Sequence, residues 1–187
     1  MPPPTAVESC FEIAFWFLDR ALNDGEYMQP QKMQRLMFLA QAYFGVVQAG
    51  RKLMPATFIA TAEGPLEPTI YRVFARGRPS VDLKPIDDVA RHLLDSVWRQ
   101  FGSYSIDKLN DLIKKHPPYV DAFSVEPDSE IDFESMVAFY GEKPGSRRSA
   151  VGAGSATSIN KVMRPKVMRN ATGKPVSVNR WTPKRVD

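Results

Sequence analysis

The sequence predicts a mainly α protein: a single compact helical domain of five to seven helices with a flexible basic C-terminal tail. Apolar residues recur at spacings of three and four in several stretches between residues 6 and 141, and proline and glycine separate these stretches. The only strand candidate is the short run "PATFIAT" (55–61). A chain of 187 residues can bury a substantial core. We therefore assign residues 6–141 to the all-α domain and 142–187 to the tail.

The first two predicted helices differ in how much polar surface they carry. Residues 6–23 place their apolar side chains mainly at helical spacing, and Gly25 follows as a helix stop. Residues 31–49 follow Pro30 and carry apolar side chains on several faces. The most polar line of this second helix is narrow and uncharged: Gln34, Gln41 and Gln48. A helix with so little polar surface is expected at the centre of the domain.

A rigid junction is predicted by the stretch "TAEGPLEPTIYRVFARG" (61–77). Pro65 suits the second position of a tight turn, and Pro68 suits the first turn of a third helix. We expect three side chains of this helix to face inward: Ile70, Tyr71 and Phe74. The two prolines then set the entry angle of the helix and shape an edge that can face a partner.

Three further helices follow. Residues 86–101 have one regular apolar stripe, opposite which acidic and basic residues pair at i,i+4: Asp87–Arg91, Asp88–His92 and Asp95–Arg99. Ser105 is the expected N-cap of a helix that ends at Pro117-Pro118. Asp132 is the expected N-cap of a last helix that ends at Gly141.

The charge is distributed unevenly along the chain. Residues 1–141 contain 14 basic and 19 acidic residues, whereas residues 142–187 contain 11 basic and 2 acidic residues. The segment that begins the tail is rich in Gly, Ser and Ala, so we expect the tail to be largely disordered alone. Its end, which includes Trp181, has the alternation of a strand and is a candidate for ordering on a partner.

The cellular compartment is predicted from the cysteine count and the first apolar run. With Cys10 as the single cysteine no intramolecular disulfide can form, which is typical of a reducing cytoplasm. The run at residues 11–18 is short and contains Glu12, so it resembles neither a signal peptide nor a membrane span. We expect a cytoplasmic protein without a membrane partner.

Three ordered blocks of the sequence carry a resemblance to a known family. They are "QKMQRLMFLAQAYFGVVQAGRKLMP", "ATAEGPLEPTIYRVF" and "VWRQFGSYSIDKLNDLIKKHPPYVDA". Together they resemble the Panacea domain, a family of antitoxins from bacterial toxin–antitoxin pairs and phage-associated loci, over roughly residues 11–140. The positions that match the family's three motifs are Lys32, Met33, Arg35 and Leu36; Gly64, Pro65, Leu66, Pro68 and Tyr71; and Trp98, Gly102, Leu109, His116, Pro117 and Tyr119. Glu63 and Tyr119 depart from the residues more usual in the family.

The resemblance implies an antitoxin that neutralises its cognate toxin by direct protein contact. It is greatest to the proteolytic adaptors of the family, which hand the toxin to the ClpXP protease. We expect a contact face that engages an acidic partner surface, with the flexible tail as a tether or protease-contacting arm. The candidate partner-binding residues are Lys32, Arg35, Glu63, Gly64, Pro65, Tyr71 and Arg72.

Two alternatives belong to other functional classes. A basic tail attracts phosphate, so a DNA-binding or regulatory role is the main rival, with candidate tail contacts at Arg147, Arg148, Arg164, Lys166, Arg169 and Trp181. An enzyme is not expected, because the sequence has only two histidines, no zinc-ligand spacing, no P-loop and no GxGxxG. His92 and His116 have structural explanations on helices, and Cys10 is best explained as a small buried residue. No cofactor or metal is predicted.

Overall fold

The computed structural model describes residues 4–142, 154–165, 167–169 and 175–177. Its elements in chain order are α1 (Cys10–Asn23), α2 (Pro30–Val47), β1 (Ile59–Thr61), β2 (Gly64–Leu66), α3 (Pro68–Phe74), α4 (Asp88–Phe101), α5 (Ile106–Ile113), α6 (Pro117–Val125), α7 (Phe133–Tyr140), α8 (Ile159–Met163), β3 (Val167–Arg169) and β4 (Pro175–Ser177). The prediction of a mainly α protein with a single compact domain is confirmed.

Helix α2 forms the centre of the domain, as its apolar composition predicts. All its residues from Met33 to Gly45 are buried, and α1, α4, α5 and α7 pack around it. At Gly45 the approach of α7 is so close that a Cβ would lie 2.5 Å from Val137 Cγ2. Within the described ranges, no helix is both long and apolar enough to cross a membrane.

Several helix ends follow local signals in the sequence. Ser9 and Glu12 form a capping box at the start of α1. The predicted caps of α5 and α7 are confirmed, because the side chains of Ser105 and Asp132 accept hydrogen bonds from the backbone N–H groups of Lys108 and Ser135.

The structure also differs from the sequence prediction in local detail. Pro65 lies within β2, which pairs antiparallel with β1, so the turn of this hairpin is at Ala62 and Glu63. The proline is tolerated because a two-stranded sheet consists of edge strands. Helix α6 was not predicted: Pro117 and Pro118 follow α5 but also form the first turn of the next helix, where a missing N–H costs nothing.

A segment assigned to the tail packs on the helical body. We call residues 154–163 the strap. Val162 is fully buried against the core, and α8 lies against α4. The Tyr43 hydroxyl donates a hydrogen bond of 2.7 Å to the carbonyl oxygen of Thr157. Ala156, Ile159 and Met163 also pack against the core. For this segment the boundary at Gly141 is therefore corrected, because these apolar contacts and the Tyr43 hydrogen bond attach it to the domain.

His116 lies in the core next to the beginning of the strap. It is 1% exposed, its Nδ1 is 2.9 Å from the Tyr140 hydroxyl, and its ring packs on Phe139. Burial lowers the pKa of the His116 imidazole from 6.5 to about 4, and a contact with the backbone of Ser155 opposes this shift. The imidazole is therefore neutral at pH 7, and His116 stands at the N-cap of α6.

We expect truncation to show that the strap belongs to the folded domain. A chain ending at Gly141 loses the burial of Val162 and the Tyr43 hydrogen bond, which together contribute about 2–4 kcal/mol to the free energy of unfolding. A chain ending at Pro165 keeps both contacts. Urea denaturation followed by circular dichroism compares the two chains, with Val162→Asp as the test in the full chain and Val125→Asp, at an 83% exposed position, as the control. Equal stability of both truncated chains would contradict this role.

The buried imidazole predicts a pH dependence of stability. Because the pKa of His116 is about 4 in the folded state and 6.5 as its ordinary value, the unfolded state binds this proton more tightly. The contribution of His116 to the free energy of unfolding is therefore independent of pH above 6.5. It falls as pH decreases from 6.5 to 4, by about 1.4 kcal/mol per pH unit at most. His116→Gln should flatten the slope in this window, whereas His92→Gln, at an exposed position on α4, should not. Parallel slopes in all three proteins would show that His116 does not titrate in this way.

Candidate partner-binding cleft

An open cleft of about 500 Å³ lies between the start of α2, the β1–β2 hairpin, α3 and the start of α5. Its walls are mostly apolar, and the larger apolar side chains in them are Met33, Leu66, Ile70, Tyr71, Phe74 and Ile106. All three sequence blocks that resemble the Panacea domain contribute to this cleft, the third through Ile106. A concave apolar surface with a few fixed polar groups is the usual form of a binding site.

The polar group at the base of the cleft is Arg35. Its side chain is buried, with 1% of the residue exposed. Nε donates a hydrogen bond of 2.8 Å to Asn110 Oδ1, Nη1 donates one of 3.1 Å to the carbonyl oxygen of Pro65, and Nη2 donates to the carbonyl oxygen of Glu63. Arg35 was predicted to anchor a partner at the surface, which is wrong: its guanidinium holds the hairpin from beneath.

Arg35 remains charged although it is buried. Burial lowers the pKa of the guanidinium from 12.5 to about 10, and interactions with Tyr119 and Glu63 act in the opposite direction. The side chain is therefore protonated at pH 7. Its three acceptors are two peptide carbonyls and one amide, which compensate the loss of water by hydrogen bonds to the charged group.

Gly64 is required where the hairpin crosses this guanidinium. Its φ angle is 124°, in the region that favours glycine, and a Cβ there would lie 2.8 Å from the Arg35 Nε. The Gly-Pro pair that stands out in the sequence thus allows backbone to approach a buried charge. Both Gly64 and Pro65 are themselves buried behind the wall of the cleft.

Side chains from three elements surround the hairpin and bind its carbonyl oxygens. Besides the two that Arg35 binds, the carbonyl of Thr61 accepts a hydrogen bond of 2.5 Å from the Tyr119 hydroxyl. The carbonyl of Ala62 accepts one of 2.8 Å from Lys114 Nζ. The hydroxyl of Thr61 donates to the carbonyl of Gly64 at 2.8 Å. Every carbonyl from residue 61 to residue 65 therefore has a side-chain donor, which fixes the conformation of the tip.

The connection from the hairpin to α3 is held by α2 in the same way. The Gln34 amide accepts a hydrogen bond of 2.8 Å from the backbone N–H of Glu67 and donates one of 3.3 Å to its carbonyl. The Glu67 carboxylate in turn caps α3 by accepting a hydrogen bond of 2.6 Å from the backbone N–H of Ile70. Its other close neighbour is Cys10, whose Sγ is 4.0 Å away and whose pKa is raised to about 12 by burial and by this carboxylate.

The remaining predicted contact residues are partly in the cleft and partly outside it. Glu63 and Tyr71 line the cleft. Tyr71 is 59% exposed, so the expectation that it faces inward is wrong. Arg72 is exposed on the neighbouring face of α3. Lys32 is not in the wall: its Nζ is 3.9 Å from Glu26 Oε2 and 5.8 Å from the centre of the Trp98 ring.

Only two of the six predicted tail contacts lie among the residues that the structure describes. Arg164 is exposed directly after α8, and Arg169 ends β3, which runs close to α4. The other predicted tail contacts, Arg147, Arg148, Lys166 and Trp181, lie outside the described residues.

Some residues of the site were not predicted. Asn110 and Lys114 were missed as hairpin supports, and Phe74 and Ile106 were missed as wall residues. The Arg35–Asn110 contact joins positions 75 residues apart, so no local spacing indicates it. Tyr119 could have been found, since it is one of the positions that match the third motif of the family.

Comparisons with models of protein families, with curated proteins and with solved structures found no match to this chain. The membership in the Panacea family stays a prediction from the three sequence blocks. In the described part of the chain, no group of three or more His, Cys, Asp and Glu side chains is arranged to hold a metal ion.

The close approach at Gly64 can be tested against a second glycine. Gly64→Ala and Gly77→Ala both place a Cβ at positive φ, which costs roughly 1–3 kcal/mol of stability each. At Gly77 nothing lies within 4 Å of that Cβ, so only Gly64→Ala also displaces the guanidinium. We expect the midpoint of urea denaturation to fall further for Gly64→Ala.

A double-mutant cycle with Arg35→Met assigns the difference to the arginine. If the guanidinium is the cause, the extra destabilisation by Gly64→Ala shrinks when Arg35 is replaced, giving a coupling energy of about 1 kcal/mol or more. Strictly additive effects would mean that backbone strain alone accounts for the glycine.

Proposed function

We propose that this chain is a bacterial antitoxin that binds its cognate toxin directly and, as a proteolytic adaptor, delivers it to the ClpXP protease. The observation that carries the proposal is the meeting of the three family-like blocks around one hairpin. Arg35 from the first block holds the Gly64-Pro65 backbone of the second, and Tyr119 of the third block binds the same hairpin. Residues of three separate family-like motifs thus meet at one site, with an open cleft beside it.

The form of the cleft supports binding of a protein surface. Its backbone is fixed by side-chain hydrogen bonds, so little conformational entropy remains to be lost when a partner docks. Leu66, Phe74 and Ile106 in its wall are half-buried, and Tyr71 is exposed, which leaves apolar area to cover. This role needs no catalytic group, and Cys10 and His116 both serve packing.

The strap supports the adaptor part of the proposal. An adaptor needs one contact for its client and one for the protease, and the link between them raises the local concentration of the client. The strap attaches residues 154–163 of the basic tail to α4 and thereby gives the tail a fixed position on the domain. In this arrangement the toxin binds at the cleft in the cytoplasm, and the tail engages the protease.

DNA binding through the tail is the second candidate function. It is favoured by the excess of 11 basic over 2 acidic residues in 142–187. Affinity for DNA should fall steeply as salt is raised, because counterions compete for the phosphates. A packed protein interface should lose much less affinity over the same range.

Delivery to a protease predicts a specific pattern of toxin lifetimes. We expect the half-life of the neighbouring gene's product in cells to shorten only when both this protein and ClpXP are present. A chain ending at Pro165 keeps the strap and should still bind the toxin but no longer shorten its half-life. If toxicity is relieved but the half-life is unchanged, the protein blocks the toxin by simple occlusion and does not deliver it to a protease. If toxicity is not relieved, the antitoxin function itself is refuted.

Toxin binding at the cleft is tested with two exposed tyrosines. Tyr71→Asp places a charge in the apolar wall and should weaken binding of the purified toxin by about tenfold or more. Tyr27→Asp is the matched control, because Tyr27 is 82% exposed and does not line the cleft. Isothermal titration calorimetry measures both, and equal affinity of the two variants would exclude the cleft as the toxin site.

A further inference from the structure

Helix α3 and the turn that follows it present arginines beside the cleft. Residues 68–80 contain three arginines and no acidic residue, although residues 1–141 as a whole carry more acidic than basic side chains. A second cavity of about 350 Å³, at the end of α3 and the turn that follows it, is lined by all three: Arg72, Arg76 and Arg78. The apolar cleft and this basic cavity therefore adjoin across α3.

The three arginines differ in how they are used. Arg78 has a structural role: its Nη2 is 3.0 Å from Asp19 Oδ1, and its guanidinium lies 4.7 Å from the centre of the Phe15 ring. Arg72 and Arg76 are exposed, and within the described residues neither has an ion pair or a side-chain hydrogen bond. Arg76 lies two residues after the end of α3, and it lines the same cavity as Arg72, so the two like charges repel each other.

The position of these charges relative to the cleft suggests one composite surface. Ile70, Tyr71 and Phe74 of α3 line the cleft. Arg72 of α3 and Arg76 of the turn that follows it line the adjoining cavity. The buried cation of Arg35 at the base of the cleft adds to the same positive potential. Glu63 is the acidic side chain of the cleft wall and lies on the hairpin rather than on α3.

We infer that the cleft and the Arg72–Arg76 pair together bind an acidic segment of a partner protein, whose bulky apolar side chain enters the cleft while its carboxylates pair with the two arginines. This inference rests on the proposed function and specifies which part of the toxin binds. Charge complementarity selects the occupant: carboxylates are attracted to α3, and Glu63 repels them from the hairpin side. The opposite charges on the two sides of the cleft thus set the direction in which the segment lies.

The experiment uses overlapping peptides of the neighbouring gene's product and two charge-reversed forms of the full chain. Peptides that bind the wild-type protein should combine acidic residues with Leu, Ile, Phe or Met. The pair Arg72→Glu with Arg76→Glu should weaken their binding by about tenfold or more, while Arg99→Glu with Lys115→Glu, an equal charge change at exposed positions elsewhere, should leave it within about twofold. Fluorescence anisotropy measures the affinities, and circular dichroism confirms that each variant is folded.

Failure of the inference is distinguishable from failure of the proposed function. If the toxin binds but its bound peptides are neutral or basic, or the Arg72–Arg76 reversal has no effect, the inference is overturned and the antitoxin function stands. If the toxin does not bind at all, the proposed function fails. The surface is then tested on its own, by comparing the affinity of a model peptide of alternating Phe and Glu with that of a peptide of alternating Phe and Lys. Preference for the acidic peptide that disappears on reversal of Arg72 and Arg76 supports the surface, and equal binding overturns it.

Discussion

The buried guanidinium of Arg35 is the interaction on which the structure around the cleft depends. A hairpin tip that packs against a domain removes its carbonyl groups from water, and each such group needs a donor. Arg35 supplies two of these donors and binds Asn110 with a third, so one side chain joins α2, the hairpin and α5. Arginine suits this position better than lysine, because its planar group has donors in several fixed directions.

The same principle extends along α2. Gln41 accepts hydrogen bonds of 3.0 Å from the backbone N–H groups of Leu53 and Met54 and donates one of 3.0 Å to the Met54 carbonyl. Gln34 binds both backbone groups of Glu67. A central helix without any polar side chain would leave these non-helical segments without partners at a cost of several kcal/mol. The few polar residues of α2 therefore determine where the loops pack.

Sequence patterns predicted most of the helices but little of this network. Apolar spacing located α1, α2 and α4, and local caps located the starts of α5 and α7, because both signals act between residues close in the chain. Lys32 and Arg35 were treated alike as surface charges, which is the usual position of such residues. Which one turns inward is decided by hairpin carbonyls about 30 positions away. The strap was missed because its composition predicts disorder, whereas a preformed core surface can order it through Val162.

The separation of the cleft from the strap has a consequence for how two partners could bind. Arg35 reaches the cleft from the beginning of α2, and Tyr43 holds the strap from near its end. At a rise of about 1.5 Å per residue, the eight residues between these positions span about 12 Å along the helix. Because α2 is buried and closely packed on all sides, it is a rigid spacer between the two surfaces. A partner in the cleft therefore need not displace the strap, so the two surfaces are independent of each other, as the proposed function requires.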